Sequence, residues 1–105
     1  MTETPGGGGA AAPLTPRQRK ALRALAHGLE PVVHVGRAGV TEPVVTSVAE
    51  ALLAHELVKV RLHEPEDKHA AATALAAATE ATLCGLVGHT VILYRPHPDA
   101  PRIRV

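Results

Sequence analysis

Gly36-Arg37-Ala38-Gly39 is the segment of this 105-residue chain whose residue types and spacing could do chemistry. A β-branched run, Val32-Val33-His34-Val35, leads into it, and Val40-Thr41-Glu42-Pro43 follows with the signature of a helix start. Two glycines two residues apart let a backbone approach a ligand without Cβ obstruction. A helix N-terminus just beyond offers unpaired N–H groups and a positive dipole end to an anion. Arg37 adds a planar fork suited to phosphate oxygens. Together these make a grip for a nucleic-acid backbone, of the kind in which a glycine-x-x-glycine loop clamps RNA.

Other chemistries find less support. The seven histidines are scattered, with no H-E-x-x-H and no paired Cys-x-x-Cys, so neither a metal nor a cofactor is expected. His55-Glu56 has no second histidine one turn on, and His63 and His69 straddle an expected strand end and helix start. The single cysteine, Cys84, sits among Leu83, Leu86 and Val87 and is expected to be a buried core thiol rather than a nucleophile. Tyr94, the only aromatic residue besides the histidines, could either stack on a base or pack into the core. No Gly-x-x-x-x-Gly-Lys, catalytic triad or carboxylate pair is present, and no catalytic residue is expected.

The elements that must position the glycine loop follow from periodicity. Thr15 can cap a first helix running to about His27, with Pro16 in its first turn, Gly28 beyond its end and Gln18, Leu22, Leu25 and Ala26 as its inner stripe. Pro31 to Val35 is a strand, and Thr41 caps a helix to about His55 with Val44, Val48 and Leu52 on one face. Leu57 to Leu62 alternates, Val58, Val60 and Leu62 against Lys59 and Arg61, as a half-buried strand does. Pro65 to about Glu80 is an alanine-rich helix with acids in its first turn. Thr82–Val87 and Thr90–Arg95 are strands joined by a tight Gly88-His89 hairpin. The order α-β-α-β-α-β-β predicts an α/β fold with one mixed four-stranded sheet packed by helices, its first two strands parallel and its hairpin antiparallel.

Charge is segregated along this frame although the total is only +1. Residues 14–40 carry Arg17, Arg19, Lys20, Arg23 and Arg37 against Glu30 alone, a local +4. Residues 62–80 carry Glu64, Glu66, Asp67 and Glu80 against Lys68, a local −3. A basic face can therefore coexist with near-neutrality. Residues 1–13, rich in Gly, Ala and Pro, are expected to be a disordered tail, residues 14–97 the folded domain and residues 98–105 a C-terminal extension. The start lacks signal-peptide character, no run is apolar enough to span a bilayer, and one cysteine suits a reducing compartment. A cytoplasmic monomer without membrane contact is the expectation.

Leu14-Thr15-Pro16-Arg17-Gln18-Arg19, Pro31-Val32-Val33, Gly36-Arg37-Ala38-Gly39-Val40-Thr41-Glu42, His55-Glu56-Leu57-Val58-Lys59-Val60-Arg61 and Gly88-His89-Thr90-Val91-Ile92-Leu93-Tyr94-Arg95-Pro96 occur in this order over residues 14–96. In this the chain resembles the CRM domain (chloroplast RNA splicing and ribosome maturation) in its small bacterial YhbY-like form. The resemblance implies a fold similar to the C-terminal domain of translation initiation factor 3. It also implies binding of ribosomal RNA precursors of the large subunit through Gly36, Arg37, Ala38 and Gly39. Arg17, Arg19, Lys20 and Arg23 of the first helix and Lys59 and Arg61 of the second strand are the expected helpers. His89 stands where the family often has lysine, which puts a cation there in doubt at neutral pH. The rival from another class is a protein-interaction or structural module whose glycine loop is only a turn.

Overall fold

A computed structural model describes residues 14–103. Its elements are α1 (Pro16–Ala26), β1 (Pro31–Val35), α2 (Glu42–His55), β2 (Leu57–Leu62), α3 (Lys68–Thr79), β3 (Thr82–Val87) and β4 (Thr90–Tyr94). The strands form one mixed sheet in the order β1-β2-β4-β3, with β1 parallel to β2 and the other pairs antiparallel. The expected α/β architecture and element order are therefore those observed. The proposed tail at residues 1–13 lies outside the described residues.

Strand alternation sends side chains to two separate cores. Val58, Val60 and Leu62 of β2 and Val91 and Leu93 of β4 pack with Val48 and Leu52 of α2 and Leu75 of α3. On the opposite face, Leu57, Cys84, Ile92 and Tyr94 pack beneath Leu22 and Ala26 of α1. Thus β2 is covered on both faces at Leu57, where alternation alone predicts one exposed face; α1 does the covering. Further along that face, Lys59 is half-buried and Arg61 exposed, as their spacing predicts.

α1 begins with a reciprocal capping box between Thr15 and Gln18, which satisfies two backbone donors that the helix leaves unpaired. Two expectations about helices fail. Leu25 is 53% exposed rather than part of the inner stripe, because α1 touches the sheet along the narrow line of Leu22 and Ala26. α3 starts at Lys68, not Pro65, and has no acid in its first turn. Asp67 accepts from the Ala70 N–H at 3.0 Å and so becomes the N-cap, while Glu64, at φ +49, turns the chain before it. Thr41 precedes α2 but makes no side-chain capping bond. The Gly88-His89 turn joins β3 to β4 as expected, with the positive φ at Gly88 alone.

Candidate nucleic-acid interface

β1 and β2 run parallel, so their C-terminal ends lie side by side and deliver the glycine loop and the segment after Leu62 to the same end of the sheet. Open sheets commonly bind ligands just outside the carboxyl ends of parallel strands. The β3–β4 hairpin meets them there, where the His89 carbonyl accepts from the Leu62 N–H at 2.8 Å.

The loop itself is a tight turn closed by Gly39 N–H donating to the Gly36 carbonyl at 3.0 Å. Its two glycines differ in what they need. Gly39 sits at φ +81, a conformation that side chains rarely adopt, whereas Gly36 does not. A Cβ at either would meet nothing within 4 Å, so the outer surface of the turn is open to an incoming backbone. Arg37 reaches across to Glu64, with Nη2 2.6 Å and Nε 2.8 Å from Oε1. Both side chains are largely exposed, and such pairs contribute only about 0–1 kcal/mol, so a phosphate could displace Glu64 at small cost. The helix beyond the loop is a poorer anion site than its position predicts. Pro43 removes one donor from the first turn of α2, and Glu42 puts a carboxylate there.

The loop has an acidic side and a basic side. A cleft of about 360 Å³ separates it from Glu64, Glu66 and Asp67, which repel phosphate. On the α1 face of the sheet, a groove of about 540 Å³ is lined by Lys20, Arg23 and Lys59 with His27, Val87 and Thr90. Lys20, Ala24 and His27 recur at helical spacing, which presents one stripe of α1 to the groove. Arg61 continues the same face of β2, beside His34 of β1 and Thr90 of β4.

Several of these cations are oriented by neutral backbone oxygens, which fix direction without cancelling charge. Arg23 Nη1 donates to the Cys84 carbonyl at 2.8 Å and Lys59 Nζ to the Leu29 carbonyl at 3.1 Å. Arg19 Nη1 donates to the Leu14 carbonyl at 2.6 Å, which turns it toward the chain start and away from the groove. Arg17 is exposed in the first turn of α1 and does not line the groove. The structure thus gathers Lys20, Arg23, Lys59 and Arg61 on the sheet face that flanks the loop, and leaves Arg17 and Arg19 at its margin.

Three features escaped the sequence reading. Gly85 has no Cβ where one would come within 2.7 Å of Arg23 Cδ, so Arg23 lies flat on β3 without shifting. Glu56, fully buried at φ +67, accepts from the backbone N–H groups of His97, Arg102 and Ile103 at 2.7–2.9 Å. Burial pushes its carboxyl up, but those three donors and the Arg102 cation outweigh burial and hold it below its ordinary value. Glu56 therefore ties residues 97–103 to the end of α2. The third feature is a pairing of His34 with His63, where the spacing drew attention to His63 and His69.

Tyr94 is 4% exposed and packs in the α1-side core, so of its two possible roles the structure selects packing. Cys84 is buried as expected, and burial pushes its thiol up to about 11 against the pull of Arg23 and Arg19. It is a protonated core group, not a nucleophile. Among the described residues, no group of three or more His, Cys, Asp or Glu is placed to hold a metal, and no helix is long and apolar enough to cross a membrane.

Comparison with known proteins places the fold in a family. The family model of the CRS1/YhbY (CRM) domain matches residues 14–95. "Probable RNA-binding protein YqeI" of Bacillus subtilis is 36% identical over 94 residues, covering 88% of this chain and 98% of that protein. A Haemophilus influenzae protein named "RNA-binding protein" is 38% identical over 89 residues, covering 83% and 90% respectively. The solution structure of SAV1595 from Staphylococcus aureus superposes with a TM-score of 0.77 at 30% identity, covering 88% of this chain and 98% of that one. With the match extending from the start of α1 to the end of β4, the chain belongs to the CRS1/YhbY (CRM) domain family.

Proposed function

We propose that this chain is a non-enzymatic RNA-binding protein that attaches to large-subunit ribosomal RNA precursors through the glycine loop and the basic sheet face beside it. The observation that carries the reading is the convergence of Lys20, Arg23, Lys59 and Arg61 on the side of the loop away from Glu64, Glu66 and Asp67. Opposite charges on the two sides of one loop give an incoming phosphate backbone a single favourable approach. The RNA-binding names of the relatives support the same partner, and the motifs shared with the CRM family support the ribosomal destination.

Two variants test the loop. Arg37→Ala removes a charge-assisted contact and should cost about 1–3 kcal/mol of RNA affinity with little change in thermal stability. Ala38→Asp places a carboxylate against phosphate and should bind worse still. If both variants bind RNA like the parent, the loop is a turn and nothing more. Co-sedimentation tests the destination: the protein should travel with large-subunit precursors rather than with mature subunits, and a distribution confined to free protein counts against a role in assembly.

A further inference from the structure

His34 is the next-to-last residue of β1 and His63 follows β2, and their exposed rings stack with centroids 5.1 Å apart beside the glycine loop. His34 Nδ1 and His63 Nε2 are 2.8 Å apart. A hydrogen bond between two ring nitrogens needs a hydrogen on one and a lone pair on the other. The pair therefore holds together when neutral, and holds more firmly with one added proton, because the donor is then an imidazolium. Two added protons break it, since both facing nitrogens become donors.

The charges around the pair set what a first proton meets. Arg61 of β2 is the cross-strand neighbour of His34, and Arg37 belongs to the adjoining loop. Both guanidiniums add positive charge, while Glu64, Glu66 and Asp67 line the cleft that His63 also borders, with Glu64 engaged by Arg37. Lys68 and His89, at the hairpin on the same end of the sheet, add no negative charge. A phosphate brought to the His34 side of this corner, beside Arg61 and Arg37, adds negative charge next to the rings and so favours a proton on the pair.

We propose that the His34–His63 pair is an RNA-phosphate contact that takes up a proton from solvent as RNA binds, so that RNA affinity rises as pH falls through the histidine range. The inference rests on the RNA-binding reading of the neighbouring loop. Linkage fixes the sign: if bound phosphate favours the proton, the proton favours bound phosphate by the same factor. Lysine and arginine contacts hold their charge throughout that range and give no such dependence.

Filter binding of purified large-subunit ribosomal RNA at about pH 6 and about pH 8, at one ionic strength, tests it. The parent should gain affinity toward low pH, by up to about tenfold per pH unit, the limit for one linked proton. His34→Gln/His63→Gln should lose most of that slope, and because both rings are exposed the variant keeps its fold. The other five histidines are present in both proteins, so any slope they contribute survives the double substitution. A second readout is the ring-proton NMR of the parent near neutral pH, where adding RNA should move the His34 and His63 signals toward their protonated positions. Equal pH slopes in parent and variant, or ring signals that RNA leaves in place, overturn the proposal and leave the RNA reading standing. Absence of RNA binding by the parent at every pH overturns both.

Discussion

Gly36 and Gly39 look interchangeable in sequence, and the backbone separates them. Gly39 is held at φ +81, so Gly39→Ala should destabilise the fold by about 1 kcal/mol whatever it does to RNA. Gly36 has an ordinary φ and open space at its Cβ position, so Gly36→Ala should leave stability unchanged or raise it by up to about 1 kcal/mol. Its expected effect falls on binding alone, a loss of roughly tenfold in RNA affinity, about 1.4 kcal/mol, if phosphate approaches the loop closely. Parallel thermal melts and RNA titrations of the two variants separate strain from contact. Glu56 carries a different prediction. Its folded carboxyl lies below its ordinary value near 4.5, so its contribution is present above that value and is lost as pH falls through the folded one. Glu56→Gln should cost about 1–3 kcal/mol at neutral pH, because an amide nitrogen cannot accept from a backbone N–H, and should flatten the acid limb of the stability curve. Nothing in His55-Glu56-Leu57 announces this role. The partners of Glu56 lie up to 47 residues away, and their return to it is a tertiary event that local pattern does not encode.

At the scale of elements, periodicity located all three helices and all four strands of the described residues because each commits at least one face to a core. It erred where a second contact competed with the pattern. Pro65 is a plausible first-turn residue, yet Asp67, with its side chain on the Ala70 N–H, sets the helix start. Removing that oxygen by Asp67→Ala should cost about 1 kcal/mol and lower the melting temperature, while a variant that melts like the parent would mean that the cap adds nothing. Leu25 was misplaced for a related reason. The helical stripe is wide enough to include it, but α1 buries only Leu22 and Ala26 against the sheet. Leu25 instead borders an apolar cleft with Leu29, Val32 and Ile103. The fit at Gly85 is not legible in the sequence because it arises from Arg23, on another element, crossing over it.

Across the whole molecule, the charge segregation seen along the chain becomes a division in space. The acids of residues 64–67 line the far wall of the loop cleft, and Lys20, Arg23, Lys59 and Arg61 occupy the α1 face of the sheet. The linear charge runs foretold two signs, but strand pairing decided that Lys59 and Arg61 join Lys20 and Arg23 while Arg19 turns away. If this basic face meets the RNA backbone, the salt dependence of RNA affinity reveals it most directly. Removing one lysine or arginine from a phosphate lowers the slope of log affinity against log salt by roughly one. Lys20→Ala/Lys59→Ala/Arg61→Ala should therefore reduce the slope by about two to three and weaken binding evenly across RNA sequences, whereas Arg19→Ala should change it by less than about one. A triple variant that folds and keeps the parent's slope would contradict RNA binding at this face.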